Sequence, residues 1–460
     1  MSEPAVSRGA DSRAPETTGA TDPHLKRNLT LLTLDGAFFT AGGAFYDSGT
    51  ILPLFVSTLT NSRFLIGLAA TARTVGWFLP QLVVASLTQH LRYKGRLVIV
   101  NSLLHRVGLL LMAAVTYLYA GTRPGLALAL FFPIFIAASM SEGVNGVPWT
   151  DVVANTIPAR YRGRLFANQQ ILGCLLAFVN GFLVRLILRK AAYPDAYVIF
   201  FLCTFLGFLL SILSFMGVKE KPATEVRARQ SLGSYLGSLP AVWRGNPRFA
   251  QVMLVRFCLG FVFLSYPFFA VHARQNLGLE PGAVGLFVSA QMAGSLVGSA
   301  IAGRLSDRGG SRVVVILSIM AALLTPTTAL LLTMAKALGL ADLAAFFFPL
   351  VFFFLGVTFG AGFIGFTNYV LDVAPPAERS TYIGLSNTLM APFAFLSALG
   401  GALASLTGYE VVFAVSLAVA LAGVVLAFRL DEPRTGCQVY PPGVSGGKPA
   451  ASAQDVVPGP

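Results

Sequence analysis

The chain has 460 residues, 55% hydrophobic and only 12% charged, with a mean hydropathy of +0.71 and a formal net charge of +13. Soluble domains are nearer a quarter charged. Apolar blocks of about 20 residues far exceed the roughly 5 to 8 of a buried strand, so a soluble enzyme built on a sheet is excluded. Most Lys and Arg lie in short connections between these blocks, which marks membrane topology and not a nucleic-acid footprint.

In chain order, residues 1–28 are rich in Ser, Ala, Thr and Pro and hold no apolar signal region. They are expected to form a disordered tail, not a cleaved leader. Spans are then expected at 30–56, 64–88, 97–120, 125–149, 165–188 and 196–217, which gives a first bundle over 29–217. The linker 218–248 carries Lys219, Lys221, Arg227, Arg229, Arg244 and Arg248. Within it Leu232, Tyr235, Leu236, Leu239, Val242 and Trp243 recur at helical spacing. That spacing reads as an amphipathic helix at the membrane face, with an ordinary linker as the alternative.

Six further spans are expected at 249–272, 283–303, 313–336, 342–370, 380–405 and 409–430, a second bundle over 249–430. Residues 431–460, rich in Pro, Gly and Ser, are expected to be a second disordered tail. The fold class is all-α: a polytopic membrane protein with twelve transmembrane helices in two six-helix pseudo-symmetric bundles. An even number of spans puts both termini on one side. Connections on that side hold sixteen Lys and Arg against six opposite, so both termini are expected in the cytoplasm, beneath the inner (plasma) membrane.

Cys174, Cys203 and Cys258 lie inside apolar blocks, Cys437 lies in the tail, and none forms a CxxC pair. No metal site or disulfide framework is expected. There is no GxxxxGK[ST] string, no HExxH and no Ser/His/Asp constellation, so neither an enzyme nor a bound cofactor is expected.

The second half repeats the first. "DVVANTIPARYRGR" (151–164) falls on "NYVLDVAPPAERST" (368–381) at an offset of 217 residues, matching Pro158 to Pro375, Arg162 to Arg379 and Gln170 to Asn387. Residues 66–100 fall on 284–318, matching Gly67 to Gly285, Gly76 to Gly294 and, after two skipped residues, Arg96 to Arg312. The string "GRLSDRGGSR" (303–312) therefore occurs twice, although Ala85 and Gln89 stand where the second copy has Gly303 and Asp307.

Two parallel six-span halves joined by a basic linker are the layout of transporters that rock about a central site. "GRLSDRGGSR" resembles the loop signature of the major facilitator superfamily, and "PARYRGR" is similar to the Arg-Gly element its members carry after the fourth span. The resemblance covers residues 28–430. It departs from the usual pattern in keeping the better signature in the second half. The fifth span also lacks the Gly-Pro-x-x-Gly-Gly string of many drug/proton antiporters. "FLPQLVVASL" looks like poorly characterised bacterial members, whose substrates the resemblance does not supply.

The resemblance implies an inner gate formed by Gly303, Asp307, Arg308, Arg312, Arg162, Gly163 and Arg379. Gly303 is expected to let helices approach, and Asp307 to cap span eleven near Ser380 beside Arg379. Plain topology charge is the alternative.

Ionisable residues inside spans are costly and mark functional sites. Asp47 and Arg73 fall at similar depth and are expected to pair or to meet substrate. Glu142 and Arg256 come from opposite halves at similar depth and are expected to face each other, with Arg106 as a competitor for Glu142. Asp35, near the end of its span, is expected to be solvated.

By resemblance, spans one, four, seven and ten line a cavity. The candidate cavity residues are Asp47, Arg73, Glu142, Asn145, Arg256, Gln291 and Asn368, with Tyr46 and Tyr266 nearby. The expected function is secondary active transport of an unidentified small solute by rocker-switch alternating access. Proton coupling is compatible with Asp47 and Glu142, and export is favoured only because exporters are common among similar chains. The expected partners are a small-molecule substrate, the lipid bilayer and protons, with no nucleic acid, and the chain is expected to be a monomer. A membrane-embedded binding or assembly protein that kept the fold without transport is the alternative.

Overall fold

A computed structural model describes residues 23–88, 91–222, 240, 242–375 and 379–434. Among the described residues all regular structure is helical, and nine segments are long and apolar enough to cross a membrane. The expected linker-helix residues Leu232, Tyr235, Leu236 and Leu239, and Gln89 of the worn loop copy, lie outside the described residues.

The first pass is broken. Helix α1 (Leu25–Gly43) gives way to a 3-10 turn (Ala44–Tyr46), and the chain resumes as α2 (Ile51–Leu59). The break has a local cause. Asp47 turns extended, and its carboxylate accepts hydrogen bonds from Gly49 N and Thr50 Oγ1, both at 2.9 Å. An Asp side chain bonding the backbone two residues on competes with helix and favours a turn. The remaining passes of this half are α3 (Arg63–Thr88), α4 (Gly95–Val115), α5 (Pro124–Thr156), α6 (Ala159–Lys190) and α7 (Asp195–Met216).

The second half opens with another broken pass: α8 (Pro247–Gly260), α9 (Val262–Ser265) and α10 (Phe268–Gln275), interrupted before Pro267. Helix α11 (Ala283–Ala337) is two passes joined at Gly310, whose φ of 83° breaks the helix. Then come α12 (Ala341–Phe347), α13 (Pro349–Val373), α14 (Arg379–Met390), α15 (Leu396–Thr407) and α16 (Tyr409–Phe428). This order is consistent with the expected twelve-helix plan.

The duplicated glycines do duplicated work. Gly76 of α3 lies against Ser139 of α5, and its counterpart Gly294 of α11 lies against Phe353 of α13; a Cβ at either position would overlap the neighbour. Gly67 of α3 packs on Ser397 of α15, and its counterpart Gly285 packs on Gly181 of α6. The first pair joins helices within each half and the second pair joins the halves, as expected where small residues let helix backbones approach closely.

Part of each expected tail packs on the helices. Helix α1 starts at Leu25, and Asn28 is buried, donating to Lys219 O (3.1 Å) and accepting from Lys219 N (3.0 Å). At the other end, residues 431–434 fold back onto the bundle.

Candidate functional site

The two ends of the bundle differ, and the difference is built from the contacts between halves. These contacts run between α3 and α15, α6 and α11, and α2 and α10. They sit on the face away from the termini, called here the far face. Arg63, at the start of α3, donates to Ala404 O of α15 and lies over the Tyr409 ring (4.5 Å). Thr71 Oγ1 accepts from Ala398 N (3.0 Å), and Gly401 packs against Arg63 O. Tyr266 OH donates to Asp47 Oδ2 (2.9 Å), so the two broken passes touch where they break. The Tyr266 ring occupies the space a side chain at Gly49 would need.

Toward the terminal face, no comparable packing joins α3 to α14 among the described residues; α3 meets only the 3-10 turn Ala391–Phe395 that leads from α14 into α15. There, Gln170 Nε2 reaches Ser295 Oγ across the halves at 3.2 Å.

Asp47 and Arg73 do not pair. Arg73 instead makes a two-pronged ion pair with Glu142, its Nη2 lying 3.0 Å from Oε1, and its guanidinium lies 4.6 Å from the Tyr46 ring centroid. The reason is geometric. Close packing at Gly76 brings α3 against α5, so the two residues face each other inside one half. The same packing removes the expected Glu142–Arg256 pair. His105 Nε2 faces Glu142 Oε2 at 4.0 Å and, among the described residues, has no hydrogen-bond partner; neither have the buried Tyr46 hydroxyl and Ser139 Oγ nearby. Arg106 does not compete for Glu142 but donates to the carbonyls of Phe208 and Ser102. Asp35 is buried rather than solvated, accepting from Trp149 Nε1 (2.8 Å) and Ser211 Oγ (2.6 Å).

Arg256, half-buried on α8, donates to Ser386 Oγ and to Asn387 Oδ1 (3.1 Å), with the Phe366 ring 5.9 Å away. Asn145 is tied to α4, accepting from Asn101 Nδ2 (3.0 Å) and donating to Ser102 Oγ (2.8 Å). Gln291 Nε2 reaches Tyr266 OH at 3.5 Å, while its buried Oε1 has no partner. Asn368 lies at the terminal end of α13 and donates to Ser306 Oγ (3.0 Å). The seven candidate cavity residues are therefore dispersed over several separate contacts.

The gate candidates meet partners the sequence reading missed. Asp307 is exposed and makes no ion pair or side-chain hydrogen bond among the described residues, so the expected cap on α14 is not formed; the Arg379 side chain lies outside the described set. Arg308 is likewise exposed. Nor does Gly303 serve close helix packing, since a Cβ there would meet nothing within 4 Å, and the same holds at Gly163.

Glu432 carries the connection instead. Its Oε2 accepts from Arg312 N (3.0 Å) at the start of the pass after Gly310, and its carboxyl fills the space beside Gly310 that a Cβ would need. Arg312 Nη2 donates to Phe428 O (2.9 Å). Arg434 Nε donates to Asp372 (2.9 Å), which also accepts from Ser311 Oγ (2.8 Å), and Arg434 Nη1 donates to Ser306 O (2.7 Å).

The first half repeats the arrangement. Glu220, just after α7, accepts from Lys94 N (2.7 Å) and Gly95 N (3.0 Å) at the start of α4, and the Lys94 ammonium pairs with Asp151. In both halves a carboxylate following the last pass stabilises the positive end of the third. An available signal was the acid just past each half's last span, "GVKEKP" at 217–222 and "RLDEPR" at 429–434. Arg162 turns back to the end of α5, donating to Ile157 O (2.9 Å) and Ala154 O (2.7 Å), as a cation at a helix C-terminus should.

The profile described as Major Facilitator Superfamily matches residues 34–391 and, again, 252–440. The chain belongs to this superfamily of membrane transporters; the family and its solved relatives are transporters rather than enzymes. No curated protein matches it. Among solved structures it is similar to a D-xylose–proton symporter, with 15% identity, a TM-score of 0.68 and coverage of 89% of this chain and 99% of that one. It is also similar to the nucleoside transporter NupG, at 15% identity and TM-score 0.62, covering 88% and 99%. A bacterial homologue of the iron transporter ferroportin in an inward-facing state matches at 15% identity and TM-score 0.63, again covering 88% and 99%. At these identities the likeness is one of fold.

Proposed function

We propose that the chain is a secondary transporter that moves a small solute through the space between its halves by rocking them, with the terminal face in the cytoplasm. The observation that carries this is the one-sided packing: Gly67, Gly285 and Gly401 press the halves together at the far face, while among the described residues α14 has no comparable packing on α3 at the other. Helix interfaces with such close backbone contact are held or released as units, which suits two discrete arrangements. The basic connections on the terminal side support the orientation.

Coupling to protons is the energy source this reading favours. Glu142 and His105 meet 4.0 Å apart inside one half, and among the described residues His105 Nε2 has no other partner. A proton arriving there changes the charge balance around Arg73, which holds Glu142 now.

The test is distance measurement between spin labels in bilayers, in a background where all four cysteines are replaced. Labels at 92 and 308 read the terminal face, and labels at 122 and 338 read the far face. Two populations are expected, the terminal-face distance shortening where the far-face distance lengthens. Their ratio should move with pH in the parent and not in Glu142→Gln. A single distance at each face at every pH overturns rocking. A ratio that moves with pH equally in Glu142→Gln removes that site from coupling.

A further inference from the structure

We infer that Arg256, Asn387 and Ser386 form the subsite for an oxyanion, so that the transported solute is an organic anion bearing a carboxylate, phosphate or sulfonate. The inference rests on the reading that solute passes between the halves. Three features of the geometry carry it.

The charge is uncompensated. Arginine stays protonated in proteins, and a charge inside a membrane protein is costly unless something answers it. Arg73 is answered by Glu142. Among the described residues no acid lies within ion-pair distance of Arg256, whose side-chain partners are a hydroxyl and an amide oxygen.

The neighbours are fixed as acceptors toward the guanidinium, which aims the remaining donors elsewhere. Ser386 is fully buried and donates its own proton to Met253 Sδ (3.3 Å), so its oxygen receives Arg256 Nη1. Asn387 accepts through Oδ1, which leaves its Nδ2 protons free on an exposed side chain. Two of the five guanidinium N–H groups are engaged. The site therefore offers a guanidinium fork and an amide N–H₂, and among the described residues no carboxylate pairs with the guanidinium. Such a set matches an oxyanion in charge and geometry and repels a cation.

The setting is also one-sided. Arg256 sits nine residues into α8, roughly 14 Å along the helix from its start at Pro247. Its partners Ser386 and Asn387 belong to α14, the helix with no comparable packing on α3 among the described residues. The Phe366 ring beside Arg256 adds an apolar wall.

The experiment is calorimetric binding of benzoate to the full chain in nanodiscs, with benzamide as the neutral isostere and benzylamine as the cation. Benzoate should bind and the other two should not. Arg256→Gln should weaken benzoate by roughly tenfold to a hundredfold, the value of a charge-assisted hydrogen-bond set. Asn387→Asp covers the case in which Arg256→Gln fails to fold, because it supplies Arg256 with an internal carboxylate; it should abolish benzoate binding while the protein stays folded. Equal binding of benzamide, or full benzoate affinity in either variant, overturns the subsite.

Phosphatidylglycerol in the nanodisc distinguishes a solute from a lipid headgroup. Benzoate affinity unchanged between phosphatidylcholine and phosphatidylglycerol discs supports a solute site, and its loss in the latter gives the site to lipid phosphate and overturns the substrate claim. Binding is measured without transport. A benzoate site in a protein with one fixed label distance would leave the subsite standing and remove the transporter reading, and the reverse result would do the opposite.

Discussion

Removing the Glu142 carboxylate leaves the Arg73 guanidinium inside the first half without its counter-charge. Breaking a buried pair from one side costs about 3–5 kcal/mol, much of it the penalty of the stranded charge. Glu142→Gln should therefore lower the melting temperature strongly, and Arg73→Gln/Glu142→Gln should recover part of the loss. No recovery in the double variant would mean that the pair is not the reason for either residue. Because Glu142 and Arg256 share no partner, the stability effects of Glu142→Gln and Arg256→Gln should add to within about 0.5 kcal/mol. A larger coupling in the melts would restore the cross-half pair expected from depth alone.

At the scale of elements, the terminal face is held by two like-built corners, one on Glu220 and one on Glu432. Each carboxylate meets backbone N–H groups at a helix start, an interaction worth about 0.3–1 kcal/mol at an exposed site. Glu432→Gln should cost about that much. Gly310→Ala should cost more: its φ of 83° with ψ of 179° is a region open essentially to glycine alone, at about 1–3 kcal/mol for other residues. The new methyl would also displace the Glu432 carboxyl. Thermal melts of both variants check the order, and a smaller loss in Gly310→Ala than in Glu432→Gln would show that the kink is not held as described.

For the whole molecule, the proposed rocking makes the far-face seam the element that sets which end is closed. Gly67→Leu puts a side chain where the Ser397 carbonyl sits and should drive the halves apart there. In the spin-label assay it should raise the population with a short 92–308 distance. No shift in a folded Gly67→Leu protein would show that this seam does not control the other end. Orientation has its own check: a single cysteine at 123 should react with an impermeant reagent added to intact cells, and one at 308 should not. Reaction at 308 from outside would reverse the topology.

The all-α class, the membrane setting and the duplicated plan were legible because each follows from patterns repeated many times along the chain: long apolar blocks, charge confined to connections, and glycines matched at constant offset. The glycine matches even indicated where helices touch, since Gly76 and Gly294 do the same work in their two halves. Partner choice was not legible. Depth along a span says how far a charge lies from the surface but not which way around the helix it points. A rotation of a few residues therefore gave Arg73 to Glu142 rather than Asp47, and left Arg256 to Ser386 and Asn387. Asp47 reads in the sequence as a charge inside a span, whereas its role includes breaking the helix it sits in. Glu220 and Glu432 were not legible because an acid just past the last span carries no periodic signal; only the folded halves bring it back to the start of the third pass, more than a hundred residues away in sequence.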